Sequence, residues 1–404
     1  MIFGFNAEKI KKDFPILENN PKTIYLDSAC ISLKPKCVID KMNEYYYYYT
    51  ACAGRSSHKF GRRLDEEISS ARREIARFIS AKEKEIVFTR NATEAINLVI
   101  SGLSWKKGDE VIITDKEHSS NLIPWIKLAE ENGIKVVVCE SNLDNTFNMK
   151  NFKNCFNEKT KFVSIVHISN LDGVENPINE IAKFSHEKGV KVMIDACQSV
   201  PHIEIDVGKI DCDFLAFSGH KMCGPSGTGA LYGKFSELEK LKMFIVGGET
   251  IKDSSFEDFV PEDIPHRFEA GLQNYSGIIG FGEACRYLRK IGMKNIGKHE
   301  HNLNKIITDG LKDNKKVEII GPADSVLRNG IFNFNIKGMT PHEVAKILDS
   351  GYGIMVRGGA HCVHGWFNKH NINGSVRASF YFYNTEEDAM KFIRAVDEIS
   401  KIAK

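Results

Sequence analysis

Three polar clusters follow apolar, β-branched runs, and each carries side chains able to do chemistry. Asp195-Ala196-Cys197-Gln198 comes after Lys191-Val-Met-Ile, and Ser218-Gly219-His220-Lys221 comes after Phe214-Leu-Ala-Phe. Glu117-His118-Ser119-Ser120-Asn121 lies shortly after Val111-Ile-Ile-Thr. Taken singly, each has an ordinary structural explanation: an aspartate that ends a strand is most often a turn or cap residue. Their order says more. An acid at 195 and a lysine at 221, 26 residues on, each close a buried run, and ligands gather beyond the carboxyl ends of strands in α/β sheets. A lysine amine can condense with an aldehyde cofactor, and a carboxylate can keep a pyridine nitrogen protonated so that the ring drains electrons. A hydrogen bond to a charged group is worth roughly 1.5–3 kcal/mol, enough to bias such a ring.

A cofactor of this kind also needs a place for its phosphate. Arg90-Asn91-Ala92-Thr93-Glu94-Ala95-Ile96-Asn97 follows a strand and opens a helix, which offers free backbone N–H groups and the positive dipole end. Thr93 adds a hydroxyl there, and an N-cap role is compatible with phosphate binding. Gly224-Pro-Ser-Gly-Thr-Gly229 lacks the Gly-Lys-[Ser/Thr] ending of a nucleotide loop and reads as tight backbone after Lys221.

Near the C-terminus, Val356-Arg357-Gly358-Gly359-Ala360-His361-Cys362 makes a glycine-flanked loop, with Arg377 following in Val376-Arg377-Ala378-Ser379. Arg357, His361 and His364 surround Cys362 in sequence, a setting that favours a thiolate. His361, Cys362 and His364 are read as no metal site, because adjacent ligands chelate one ion poorly and no second cluster completes a set. His299 and His301 flank Glu300 on a helix pattern; residues two apart face apart, so both are expected to be solvated.

The elements that must hold these groups are short apolar runs alternating with amphipathic stretches. The runs lie at 85–89, 110–114, 135–139, 161–166, 191–195, 214–217 and 229–232, and helix-period segments such as Glu66–Ile79, Thr93–Ile100, Pro124–Asn132 and Pro177–Lys188 separate several of them. This is the pattern of a mostly parallel sheet covered on both faces. A long helical pattern at 277–313, a strand at Gly330–Ile336 and helices at 341–350 and 385–402 form a smaller α+β unit. The expected division is a large domain at 15–276 and a small one made of 1–14 and 277–404. Tyr45–Tyr49 on one helix cannot all point inward, so that helix is expected to be half in a core and half in a subunit contact.

With 404 residues and a formal net charge of +2, both signs interspersed, the chain has neither the charge of a nucleic-acid partner nor the apolar runs of a membrane span. None of the ten cysteines forms a C-x-x-C pair. Together with the absence of an h-region at the start, this points to free thiols in a reducing cytoplasm. At least eight of the ten are expected to be small core hydrophobes, Cys362 standing apart.

As an ordered set, Tyr25-Leu-Asp-Ser-Ala29, Glu117-His118, His167-Ile-Ser-Asn170, Asp195 to Gln198, Ser218 to Lys221, Arg267-Phe-Glu-Ala-Gly271 and Arg357 to Cys362 resemble the group II cysteine desulfurases. These belong to the class V aminotransferase-like branch of fold type I pyridoxal-phosphate enzymes, which also holds selenocysteine lyases. The resemblance implies a fold type I α/β architecture, a large domain with a mostly parallel seven-stranded sheet plus a smaller α+β domain. It implies that Lys221 carries the cofactor and shuttles the Cα proton, that Asp195 pairs with the ring nitrogen and Gln198 with the ring oxygen, and that His118 stacks on the ring. Ala92, Thr93, Ser218 and His220 would line the phosphate, while Arg377, Asn170 and Arg357 would bind the substrate carboxylate. Cys362 would take sulfur from L-cysteine as a persulfide and pass it to an acceptor protein. The family resemblance also implies a homodimer.

The sequence departs from the family at four places. Ala92-Thr93 stands where two hydroxyl residues are common, Leu272 where a threonine often reaches the partner subunit's phosphate, and Ser119 where a second histidine is common. Val363-His364-Gly365-Trp366-Phe367 after Cys362 is unlike the usual wording. The alternatives are a selenocysteine lyase, another pyridoxal-phosphate reaction such as an epimerase or β-lyase, and a catalytically silent paralogue acting as a binding subunit.

Overall fold

The computed structural model describes residues 5–403. All seven apolar runs form strands of one sheet, in the spatial order Ile86–Thr89, Gly229–Gly233, Phe214–Ser218, Lys191–Asp195, Thr160–Val166, Glu110–Thr114, Lys135–Cys139. Gly229–Gly233 runs antiparallel to both neighbours; the other pairs are parallel. Continuous apolar sequence is what such strands need, because helices cover both faces. Accordingly Ile86–Thr89, Glu110–Thr114, Phe214–Ser218 and Gly229–Gly233 are buried throughout, whereas the edge strand Lys135–Cys139 buries only Cys139.

Register aligns the polar ends of these strands. Asp195 pairs with Val166 on one side and Ala216 on the other, so Asp195 and the Ser218–Lys221 turn emerge at one rim. Gly229 fits under the same rim: a Cβ there would come within 2.6 Å of Asn91 Cα. Only a bare backbone lets this strand approach the turn that opens helix Ala92–Gly102. Within the Arg267–Gly271 motif, Glu269 braces the outermost strand. Its carboxylate takes both Arg72 nitrogens at 2.7 and 2.8 Å and the Phe88 N–H at 2.8 Å. Burial alone would raise its pKa, but Arg72 and these hydrogen bonds outweigh burial and hold it down to about 2.

The second sheet is antiparallel, in the order Val317–Ile320, Ile331–Ile336, Ser375–Ser379, Arg357–Gly359. Its core unites Phe332, Phe334 and Val376 with Leu303 and Ile307 from helix Met293–Leu311, and Phe392 and Val396 from helix Glu386–Ile402. The helical pattern at 277–313 is two helices, Tyr275–Ile291 and Met293–Leu311, divided at Gly292 with φ of 90°. The first of them buries Ile278, Phe281, Cys285 and Leu288 in the large-sheet core, so apolar packing carries that unit past residue 276.

At the start of the described chain, Lys11 pairs with Asp388 at 3.1 Å while Phe14 enters the large core. Between the two units lies an aromatic run, Phe380-Tyr381-Phe382-Tyr383, none of it more than 1% exposed. Tyr383 accepts the Leu33 N–H and meets Ser28 Oγ at 2.8 Å, and Tyr381 donates to the Pro201 carbonyl at 2.8 Å.

The tyrosine run divides as expected: Tyr45 and Tyr49 are buried, and Tyr46, Tyr47 and Tyr48 are exposed. The two helix histidines depart from expectation. Both are half-buried, with His299 against the Asn384 carbonyl and Phe5, and His301 on the Gly297 carbonyl. Packing of this helix against the C-terminal segment overrides the solvated reading. Among the described residues no helix is long and apolar enough to cross a membrane.

Candidate active site

A pocket of about 270 Å³ opens where the rim of the large sheet meets the small one. Lys221, Asp195, His118, Ala92, Thr93, Ser218, His220, Asn170, Arg357, Arg377 and Cys362 all line it. Gln198 does not. Its Nε2 donates to the Ala29 carbonyl at 2.7 Å, and its Oε1 is buried with no hydrogen-bond partner among the described residues.

One end of the pocket suits a phosphate. Helix Ala92–Gly102 begins there, with Asn91 as N-cap accepting the Glu94 N–H, and the Ala92 N–H donates to Ser218 Oγ at 2.9 Å. Thr93 Oγ1 lies 2.7 Å from Ser120 Oγ. The hydroxyl missing at Ala92 is thus replaced in space by Ser120, from a different helix. The dipole end of the helix and the hydroxyls of Thr93, Ser120 and Ser218 line this end of the pocket. Leu272 is 71% exposed and lies outside the pocket of this chain.

The middle of the pocket suits a flat, protonated heterocycle. Asp195, 3% exposed, accepts the Cys197 N–H on Oδ1, and its other oxygen remains free for a ring N–H. Helix Ser119–Asn132 starts five residues before Pro124, because His118 acts as its N-cap: Nδ1 accepts the Ser120 N–H at 3.0 Å. That bond places the ring hydrogen on Nε2. Burial, then the nearby Lys221 ammonium, lower the His118 pKa to about 4; the same two causes, with Lys34, bring His220 to about 4. A neutral imidazole can lie on an electron-poor ring without charge repulsion. Lys221 is half-buried, and its Nζ makes no hydrogen bond or ion pair with the described residues.

The far end suits an anion. Arg357 and Arg377 face each other directly on adjacent antiparallel strands. Directly opposed like charges cost a few tenths to about 1 kcal/mol, a cost that a bound carboxylate would remove. Arg377 is 2% exposed, donates to the Asn170 carbonyl at 2.9 Å and reaches Asp27 at only 3.4 Å. Its Nε and the Asn170 Oδ1 are buried with no protein partner, and such groups are costly unless a ligand or water completes them.

Cys362 sits above this end, half-buried, with left-handed backbone at φ 61° beside His361 at φ 50°. Non-glycine residues adopt this region rarely, so contacts must enforce it. Ser119 does so with both its N–H and its hydroxyl, which donate to the Cys362 carbonyl at 2.8 and 2.9 Å, and Asn170 Nδ2 donates to the His361 carbonyl at 2.8 Å. His361 points its Nε2 at Ser375 Oγ, 2.9 Å away, and His364 is exposed.

Three contributors escaped sequence reasoning: Ser120, Ser119 as the loop anchor, and Cys30. Cys30 was expected among the core thiols. It lines the pocket instead, with Sγ 2.6 Å from Arg357 Nη1. The available signal was its place directly after the Tyr25–Ala29 run, outside any helix or strand.

Comparison with known proteins gives these parts a context. The aminotransferase class-V model matches residues 24–392. A probable cysteine desulfurase of Synechocystis sp. is 41% identical, covering 96% of this chain and 94% of its own length. The cysteine desulfurase of Haloferax volcanii is 36% identical, over 98% of this chain and 97% of its own. Among solved structures, the apo cysteine desulfurase of Thermococcus onnurineus superimposes with a TM-score of 0.94 at 38% identity, covering 98% of both chains.

Proposed function

The chain belongs to the class-V aminotransferase family, and we propose that it is a cysteine desulfurase of the group II branch in which Cys362 takes the sulfur of L-cysteine and L-alanine is released. The observation that carries this reading is that Lys221 and Cys362, from different units of the fold, line one pocket together with the arginine pair.

Pyridoxal phosphate is the cofactor, and when bound it serves as an electron sink for the substrate Cα. The free oxygen of Asp195 suits the ring N–H, and the neutral His118 suits the ring face. Ser218, Thr93, Ser120, His220 and the N-terminus of helix Ala92–Gly102 suit the phosphate. Lys221 would hold the cofactor through its amine and, once freed, would move a proton at the substrate Cα. Arg377, with Arg357 and Asn170, takes the substrate carboxylate and turns the thiol toward Cys362. The Cys362 thiolate would attack the substrate sulfur; the Cβ–S bond breaks with its electron pair staying on the substrate, whose Cβ takes up a proton to give alanine, and an S–S bond forms that leaves Cys362 as a persulfide.

The exposed Tyr46–Tyr48 face supports a homodimer, since grouped exposed aromatics mark contact surfaces. Ten free cysteines support a reducing, cytoplasmic setting. A sulfur-acceptor protein is the partner proposed to take the outer sulfur of the persulfide.

Purified protein given L-cysteine should release alanine and carry a persulfide on the Cys362 peptide. Cys362→Ala should still bind cofactor and substrate but form no persulfide. Steady desulfuration by that variant would sink the assignment.

A further inference from the structure

Only five of the ten cysteines are buried, where at least eight were expected in the core; Cys30 is one of the five half-buried ones. It belongs to the irregular segment after Asp27, with its N–H bonded to the Asp27 carbonyl, and its sulfur meets the Arg357 guanidinium at 2.6 Å. A charged donor of this kind fixes the sulfur's position. Cys30 and Cys362 line the same pocket of about 270 Å³. The buried, unpartnered Arg377 Nε and Asn170 Oδ1 belong to residues of the same lining, so this region is built to receive something. A folded acceptor cannot enter so small a space, whereas a second thiol is already inside it.

We propose that Cys30 is a second sulfur-carrying residue, which accepts the sulfane sulfur from Cys362 within the pocket. This inference rests on the desulfurase reading above. The Cys30 thiolate attacks the terminal sulfur of the Cys362 persulfide. The bond from that sulfur to Cys362 Sγ breaks as the bond to Cys30 Sγ forms, and the electron pair returns to Cys362 as thiolate. The proton stays on the sulfur that moves. One persulfide replaces another with no net oxidation, so no further reagent is needed, and Cys362 is free again.

Cys197 also lines the pocket, but its thiol is turned to Ser218 Oγ at 3.9 Å, and burial, then the adjacent Asp195 charge, push its pKa far up. It is a poor nucleophile there.

The test is a persulfide map of the holoenzyme after one turnover with sulfur-labelled L-cysteine, read by alkylation and mass spectrometry. The expected result is label on both the Cys362 and Cys30 peptides, and this needs no variant. Cys362→Ala should label neither. Cys30→Ser keeps a polar partner for Arg357, and should confine the label to Cys362. With excess cysteine, bound sulfane sulfur should approach two per protomer in the wild type and stop at one in Cys30→Ser. Label on Cys362 alone in the wild type, label passing to Cys197, or label on Cys30 in the absence of Cys362 would each overturn the transfer. No alanine and no label anywhere would take down the desulfurase reading and the transfer together, which separates the two failures.

Discussion

The two ends of the pocket are built in different ways. At the cofactor end, Asp195, Ser218 and Lys221 stand on or just past central strands of one sheet, and the phosphate side begins where strand Ile86–Thr89 gives way to a helix. Their positions follow from local sequence and sheet register. At the sulfur end, Arg357 belongs to a three-residue strand, Cys362 to a left-handed loop, and Cys30 to an irregular segment. Their positions depend on contacts between residues far apart in the chain, namely Ser119 with Cys362, Asn170 with His361, and Arg377 with Asp27. Chemistry that needs a fixed ring is therefore mounted on the sheet, and chemistry that needs a moving sulfur on loops held by a few hydrogen bonds.

Substitutions at the two ends should separate in kind and in size. Lys221→Ala should have the largest effect, abolishing alanine release, since proton transfer by a placed group is by itself worth about 10²–10⁴-fold. Arg377→Ala should come next. A charged hydrogen bond of roughly 1.5–3 kcal/mol corresponds to about a 10–100-fold loss in kcat/KM, with the cofactor absorbance retained. Equal loss of absorbance would show that the ends are not separable.

Ser119→Ala removes one of two bonds to the Cys362 carbonyl. At about 0.5–1.5 kcal/mol, it should speed alkylation of Cys362 a few-fold and leave the cofactor end untouched. The smallest effect concerns protonation. His118 has a folded pKa near 4 against 6.5 when exposed, so the unfolded chain binds its proton first as pH falls. The stability this histidine contributes is complete above pH 6.5 and declines between 6.5 and 4. An NMR titration of the ring near 6.5 would contradict its burial at the cofactor end.

Legibility in the sequence follows the same division. The seven strands could be read because strands buried on both faces demand unbroken apolar sequence. Lys221 and Asp195 could be read because each ends such a strand. Strand Arg357–Gly359 could not, having no apolar residue to announce it, nor could the break at Gly292 inside a continuous helical period. Cys30 was missed because its partner Arg357 lies 327 residues away, and only folding brings them together. The contact of Gln198 Nε2 with the Ala29 carbonyl was likewise hidden, its partner lying 169 residues away.

The aromatic run Phe380–Tyr383 has a consequence for how substrate enters. It follows directly on strand Ser375–Ser379, which bears Arg377, and locks that strand's exit to Ser28, Leu33 and Pro201 of the large unit. A hinge at this joint would have to tear buried hydroxyls from their partners, so the small unit cannot swing away as a rigid door. The two units therefore hold their relation through buried hydrogen bonds as well as apolar packing.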